Sequence, residues 1–349
     1  MKTTFVSSYS LSNSSRSVLM QQASNLAKLQ TELSTGRKAD VGLDLGSGTG
    51  EAVMLRSEYN RLNAIMDTNA LVAYRLDVSQ AALADLVSTA EDFLSTLVGV
   101  SDSSGSAAVA QSEDEAGLDL LVSRLNTQLN GSYIFAGLNT DVSPIVEYYG
   151  TPEGSNQTAV DTAFLNYFGF AQNDAAAASI SATEMENFLD TDFAALFDDP
   201  AWGTDWSSAS DQSIRSRIST SELAETSVSA NEEAFRQLAE AFTMVADLGT
   251  EGLSEGAYSA IIEKEISLLG EAIAGITDIV VDLGTAQERV SNASERLAIQ
   301  TDILNERIVE LENVDTTETA VLLETAVTQM ETTYTVTARL SELSLINYL

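Results

Sequence analysis

The chain has 349 residues, with 17 Lys and Arg against 52 Asp and Glu, a formal net charge of −35, and no His or Cys. This excludes thiol and imidazole catalysis, disulfides, and zinc sites with nitrogen or sulfur ligands, and such acidity disfavours nucleic acid and anionic membrane as partners. The charge is concentrated: residues 141–271 hold 24 acids and 4 bases, whereas 1–34 hold 3 bases and 1 acid and 315–349 hold 1 base and 5 acids.

Residues 1–14 are Ser-rich and lack the apolar core and cleavage site of a secretory signal, so no cleaved leader is expected. No apolar run reaches the length of a membrane span. A helix starting among Ser12 to Ser15 would carry the seam Leu19, Gln22, Leu26, Leu29 and Leu33 and end before Gly36. Its other faces are polar with few charges. Alone it would be marginal in water, so it is expected to order mainly on assembly.

Residues 36–50 are glycine-rich. Leu43-Asp-Leu-Gly-Ser-Gly-Thr-Gly50 resembles the first motif of S-adenosylmethionine-dependent methyltransferases, with Asp67 placed as the ribose-binding acid. That chemistry needs a strand, the glycine turn, a helix and a second strand ending at the acid. The preceding residues read as helix and Asp67 lies inside a heptad run. The expectation is therefore no cofactor, and a flexible or extended loop between two helices.

From Leu55 the alternating four–three spacing runs through Tyr59, Leu62, Met66, Asn69, Ala73, Leu76, Gln80, Leu83, Val87, Ala90, Leu94 and Leu97. That predicts one long helix with a coiled-coil seam. As lone polar seam residues, Asn69 and Gln80 would set register, and replacing both with Leu would then raise thermal stability. After a Ser-rich turn at 99–105, residues 111–130 read as a shorter helix with Leu118, Leu121, Val122, Leu125 and Leu129 on one face, closed by Asn130-Gly131. A small strand-like segment, 131–137, follows.

Residues 138–230 read as a mixed insert. Tyr148, Tyr149, Phe164, Tyr167, Phe168 and Phe170 suggest strands around a turn at Pro152–Asn156. Ser181 with Glu184 reads as a capping box opening a short helix. Trp202 and Trp206 read as local core. Asn231 is a plausible cap for a helix with Phe235, Leu238, Phe242 and Val245 facing inward and Gly249 ending it. The scattered acids match no calcium loop, and no metal site is expected.

A second heptad run, Ile262 to Leu311, supplies the partner of the first, weakened as helix by Gly270, Gly275 and Gly284 at about 1 kcal/mol each. Asp315-Thr-Thr-Glu318 then caps a final helix with Leu323, Val327, Met330 and Tyr334 on one face, drifting to Val336, Leu340 and Leu343. The apolar terminus Leu345, Ile346, Tyr348, Leu349 carries no closing charge and reads as an interface. The fold class is therefore mainly α, with long N- and C-terminal helices packed as a coiled-coil bundle and an α+β insert in the middle. The expected division is a terminal assembly domain (1–45 with 315–349), a long-helix rod (46–137 with 255–314) and an acidic insert (138–254). The predicted assembly residues are Leu19, Leu26, Leu29, Leu33, Met330, Tyr334, Leu340, Leu343, Leu345, Ile346, Tyr348 and Leu349.

The two ends resemble the flagellin superfamily of bacterial axial proteins, and within it the hook-associated proteins of the hook–filament junction. The residues that carry this are Leu33-Ser-Thr-Gly-Arg37, Asp67-Thr-Asn-Ala70, Leu125-Asn126 with Gly131-Ser-Tyr-Ile-Phe-Ala-Gly137, Gln287-Glu-Arg289, Leu311-Glu-Asn-Val-Asp315 and Ala338–Leu349. The resemblance implies a non-enzymatic structural protein outside the cell, exported unfolded by the flagellar type III route. It implies terminal helices that assemble as concentric coiled coils, with the insert projecting outward. Its implied partners are further copies of itself in a ring, the adjoining hook-associated protein on the hook side, flagellin on the filament side and an export chaperone, with no nucleic acid or membrane. A filament-forming flagellin is the alternative, and a methyltransferase the remote one.

Overall fold

The computed structural model describes residues 8–100 and 107–346, with side chains from 13 to 98 and, Val109 and Glu251 excepted, from 108 to 339. The described chain forms two compact units, one of residues up to Asn63 together with those from Ala298 onward, the other Ala64–Leu297. The first holds α1 (Ser8–Thr35), α2 (Val41–Leu45), the start of α3 (Thr49–Val100), the end of α8 (Glu255–Glu312) and α9 (Thr316–Ile346). The first helix begins earlier than its serine caps suggested and ends, as expected, before Gly36.

The glycine-rich segment is not an extended loop. Asp40 accepts a hydrogen bond from the Leu43 amide (2.9 Å) and caps α2, and a 3-10 turn over Gly46–Gly48 leads directly into α3. The Thr49 hydroxyl ties this turn together by donating to the carbonyls of Gly42 (3.0 Å) and Gly46 (2.8 Å). Helix lies on both sides of the glycines, so the strand that a nucleotide-binding turn must follow is missing.

Every predicted seam residue of α3 from Leu55 to Leu97 is buried or half-buried, and so is every one of α8 from Ile262 to Leu311. The glycines of α8 do not break it. A Cβ on Gly275 would come within 2.8 Å of the Ala234 Cβ, so this glycine lets the neighbouring helix approach closely. In the second unit α3 and α8 run antiparallel, with the amide of Gln287 donating to Asp77 and that of Asn69 to the Ser294 hydroxyl (3.0 Å). The Asn69 amide also donates to the Ile218 carbonyl (2.9 Å), and both residues are buried. Asn69 therefore makes specific polar tertiary contacts, which its expected part in setting register does not require. We expect Asn69→Leu to lower stability by about 1–3 kcal/mol, the cost of stranding a buried carbonyl. Urea unfolding checks this, and a rise in the midpoint would restore the simple seam role.

The second unit corrects three expectations. The fourth helix, α4 (Ala107–Leu125), stops before Leu129. Asn130 (φ 52) and Gly131 (φ 81) instead turn a hairpin between β1 (Gln128–Leu129) and β2 (Ser132–Tyr133), as two consecutive positive φ values allow. The aromatic stretch expected as strands contains α5 (Ser155–Phe168). Val160, Phe164 and Phe168 recur at four-residue spacing, and Val160 and Phe164 are fully buried, with Phe164 5.7 Å from Phe188 between ring centroids. A second hairpin, β3 (Arg215–Arg217) with β4 (Leu223–Glu225), was not expected, because Arg-Ser-Arg carries no hydrophobic alternation.

The Ser181–Glu184 capping box is present and opens α6 (Ala182–Phe188), which continues into irregular helical turns. Trp202 and Trp206 stack at 5.5 Å inside the core. Asn231 does not cap the next helix, α7 (Glu233–Asp247), whose N-cap is Glu232. Its amide oxygen is occupied by the Trp202 indole (3.0 Å) and the Ser207 hydroxyl (2.5 Å). Phe235, Leu238, Phe242 and Val245 face inward as expected, and α7 is buried on nearly all sides, which makes it the centre of this unit. Each such side chain contributes about 1.5–3 kcal/mol by leaving water.

Candidate assembly interface

In the first unit α1 and α9 lie side by side and antiparallel, since the Val314 amide at the start of α9 donates to the Gly36 carbonyl (3.0 Å) at the end of α1. The shared seam is narrow. On α1 it is Leu19, Gln22, Leu26 and Leu33, half-buried, with Leu29 buried; on α9 it is Thr319 and Ala326, buried, with Leu323, Met330, Thr333 and Thr337 half-buried. Tyr334 points away and is 57% exposed. Of the other predicted assembly residues, Tyr348 and Leu349 lie outside the described residues. Leu340, Leu343, Leu345 and Ile346 fall in the final turns of α9, where side chains are outside them too.

Two properties of α9 suit it to further partners. First, apolar side chains occur well outside the α1 seam: Val321, Leu322, Val327, Tyr334 and Val336 are all exposed. These side chains lie on faces of α9 that α1 does not cover, a pattern that interaction surfaces share. Second, the threonine hydroxyls along its middle turns are already satisfied. The hydroxyls of Thr325, Thr328, Thr332, Thr333 and Thr335 each donate to the carbonyl four residues back, at 2.8–3.0 Å. Burying that face therefore strands no hydroxyl. On α1, Val18 and Met20 are likewise exposed.

The base of this helix pair is held by a group that periodicity did not single out. Glu312, at the end of α8, has a fully buried side chain. Its carboxylate accepts two hydrogen bonds from the Arg56 guanidinium, one from Nε at 2.5 Å, and lies 3.6 Å from Arg37. The bond from Arg56, then the charges of Arg56 and Arg37, hold Glu312 below its ordinary carboxylate value. Lys38 joins the same segments: its backbone amide donates to the Glu312 carbonyl (2.8 Å), and its side-chain ammonium to the Leu311 carbonyl (2.7 Å). Leu33–Arg37 and Leu311–Asp315, far apart in sequence, thus meet. Asp315 caps α9 by accepting from the amides of Thr317 (2.8 Å) and Glu318 (3.2 Å), which lowers its own pKa. Nearby, Lys28 bridges Asp44 (2.6 Å) and Glu32 (3.7 Å).

The other motif residues lie in the second unit. The Asn126 side chain pairs with the Ile145 backbone in both directions at 2.9 Å. Ile134, Phe135 and Ala136 are core, and the Ala230 amide donates to the Phe135 carbonyl (2.7 Å). Arg289 meets Glu222 at 3.1 Å on the second hairpin.

A cleft of about 1030 Å³ beside α5 and α7 gathers Asp161, Asp174 and Asp247. Each already has a role: Asp161 accepts from Gln172 (2.7 Å), Asp174 caps a 3-10 turn, and Asp247 accepts from the Tyr148 hydroxyl (2.6 Å). Among the described residues there is no group of three side chains able to hold a metal ion, and no helix is long and apolar enough to cross a membrane.

The chain matches the family model of the bacterial flagellin N-terminal helical region over residues 6–140 and that of the bacterial flagellin C-terminal helical region over 266–349. No curated protein matches the sequence. Among solved structures, a Vibrio parahaemolyticus protein described as a flagellar hook-associated protein shares the fold, with a TM-score of 0.52 at 7% identity, over 76% of this chain and 97% of that one. With these two regions together spanning more than half of its length, the chain belongs to the flagellin family of structural, non-enzymatic proteins of the bacterial flagellum.

Proposed function

We propose that this chain is the adaptor at the hook–filament junction, which polymerises through its terminal helices into a ring on which flagellin then assembles. The observation that carries the assembly role is α9, whose outward face is apolar and whose threonine hydroxyls are bonded within the helix. The junction position is supported by the Tyr133-Ile-Phe-Ala-Gly137 and Asn347-Tyr-Leu349 segments. In this reading 1–45 with 315–349 form the assembly domain, 46–137 with 255–314 the rod, and 138–254 the insert. Leu19, Leu26, Leu29, Leu33 and Met330 join α1 to α9 within each subunit, while Tyr334, with Leu340, Leu343, Leu345, Ile346, Tyr348 and Leu349, faces neighbouring subunits. The insert, with 20 acids against 3 bases between residues 138 and 254, projects outward and stays solvated. The chain reaches this place unfolded, through flagellar type III export with a chaperone. Its neighbours are a hook-associated protein on one side and flagellin on the other.

A second reading, a flagellin that builds the filament itself, is favoured by the match of both ends to the flagellin terminal regions. Electron microscopy of cells lacking the gene, with an assay for flagellin in the medium, separates the two. The junction role predicts bare hooks with flagellin shed into the medium. Bare hooks with no flagellin made would favour the filament subunit, and intact filaments would remove both.

A further inference from the structure

Away from the terminal helices, two carboxyl groups face each other in the core of the second unit. Asp114 on α4 and Glu265 on α8 are each 0% exposed. Neither carboxyl is met by a donor from elsewhere among the described residues, and neither forms an ion pair with a described cation. None of their four oxygens has a hydrogen-bond partner among the described residues, and the two groups act on each other's charge. Two ionised carboxylates buried together without a donor or a cation are costly, because nothing offsets their desolvation and mutual repulsion. A proton on one of them removes that repulsion and lets it donate to the other.

The surroundings offer no other source of neutralisation. On α4 the flanking charges are Glu113 and Glu115, and Glu115 accepts from Gln111 (3.2 Å). From α7 comes Asp247, bonded to Tyr148, and Tyr149 lies within reach of Asp114 and Asp247. On α8 Lys264 is engaged with Asp190 (2.6 Å), and the buried Tyr258 lies two turns before Glu265 on the same face. A divalent cation would want six or more oxygens, and no group of three candidate ligands exists among the described residues.

We propose that Asp114 and Glu265 form a proton-binding site, so that this unit folds around one proton shared between the two carboxyls and releases it on unfolding. Burial, and for Asp114 the charge of Glu265, raises both groups. The sign follows. In the unfolded chain both carboxyls are ionised by neutral pH, while the folded pair retains a proton. As pH rises above the ordinary carboxylate range, the folded state loses ground by about tenfold in the unfolding constant per pH unit per retained proton. Below that range both states are protonated and the dependence vanishes.

The test is unfolding of the full chain by urea at pH 6 and pH 8, followed by the fluorescence of Trp202 and Trp206, the chain's two tryptophans. It compares wild type with D114N/E265Q. Glu240 and Asp247, which burial raises to about 7, are present in both proteins, so their effect cancels. The wild type should lose about tenfold more per pH unit than the double amide variant. Parallel pH dependences overturn the proposal. So does a midpoint at pH 8 that calcium or magnesium raises in the wild type alone, which would make the pair a cation site. If the double variant does not fold, a site-resolved carboxyl NMR titration of the wild type decides. Glu265 and Asp114 titrating together above the ordinary range supports the shared proton, and both titrating within that range overturns it.

Discussion

Arg56→Ala should destabilise the α1/α9 unit by about 2 kcal/mol at neutral pH and leave it less sensitive to acid than in the wild type. Removing one partner of a buried ion pair costs about 3–5 kcal/mol where the remaining charge is left bare. Here the Glu312 side chain is 0% exposed, but that of Arg56 is 47% exposed and Arg37 stays 3.6 Å away, so the lower figure applies. Glu312→Gln should cost less, because an amide can keep part of the hydrogen bonding without a bare charge. The pH signature is specific. Glu312 is held below its ordinary value, so its contribution is fully present above the unfolded carboxylate pKa and is lost as pH falls through the folded one. Hydrogen exchange of the α1 and α9 amides, followed from neutral pH downwards, should show wild type opening on acidification and Glu312→Gln opening much less. Equal acid sensitivity of the two proteins would place the acid-labile contact elsewhere.

The two units are therefore expected to respond to pH in opposite senses. Acid weakens the first, where Glu312 must remain ionised. Acid strengthens the second, where the Asp114–Glu265 pair and the buried Glu240 and Asp247 favour the protonated form. A single melting temperature measured across pH would average the two effects, so separate probes are needed.

The long helices were legible because their signal is redundant. Thirteen seam positions from Leu55 to Leu97 agree on one register, and no single glycine or asparagine could overturn it. Local chemistry was legible too, as at Ser181 with Glu184 and at Asp315, because a cap and its amides lie within a few residues. The insert was harder. Phe164, Tyr167 and Phe168 suit a strand by type and a helix by spacing, and a short aromatic stretch does not decide between them. Glu312 was invisible to periodicity: its position looks like an ordinary helix-end charge, and its partner Arg56 is 256 residues away. The motifs on either side of it carried the only hint, since Leu33–Arg37 supplies a cation and Leu311–Asp315 the acid. Asp114 likewise sits in a Glu-Asp-Glu run that reads as a solvated face, and only the fold shows its middle member to be core.

Tyr334→Asp should abolish assembly while leaving the isolated chain folded. Tyr334 stands clear of the α1 seam, so its loss in the monomer should cost within about 0.5 kcal/mol, as for other surface changes. In the assembled state the same position is proposed to be buried against a neighbouring subunit, where an unpaired carboxylate is expensive. Ala326→Asp is the contrasting variant. Ala326 is 8% exposed in the α1/α9 seam, so a charge there should unfold the helix pair itself. Circular dichroism and sedimentation separate these outcomes: Tyr334→Asp gives unchanged helicity with only small species, and Ala326→Asp gives reduced helicity. A chain ending at Arg339 should behave like Tyr334→Asp, because it removes the apolar terminus Leu345 to Leu349 and keeps the described seam residues. Normal incorporation of both Tyr334→Asp and the shortened chain into flagella would show that the outer face of α9 is not where subunits meet. Loss of assembly only in the shortened chain would confine the contact to its last ten residues.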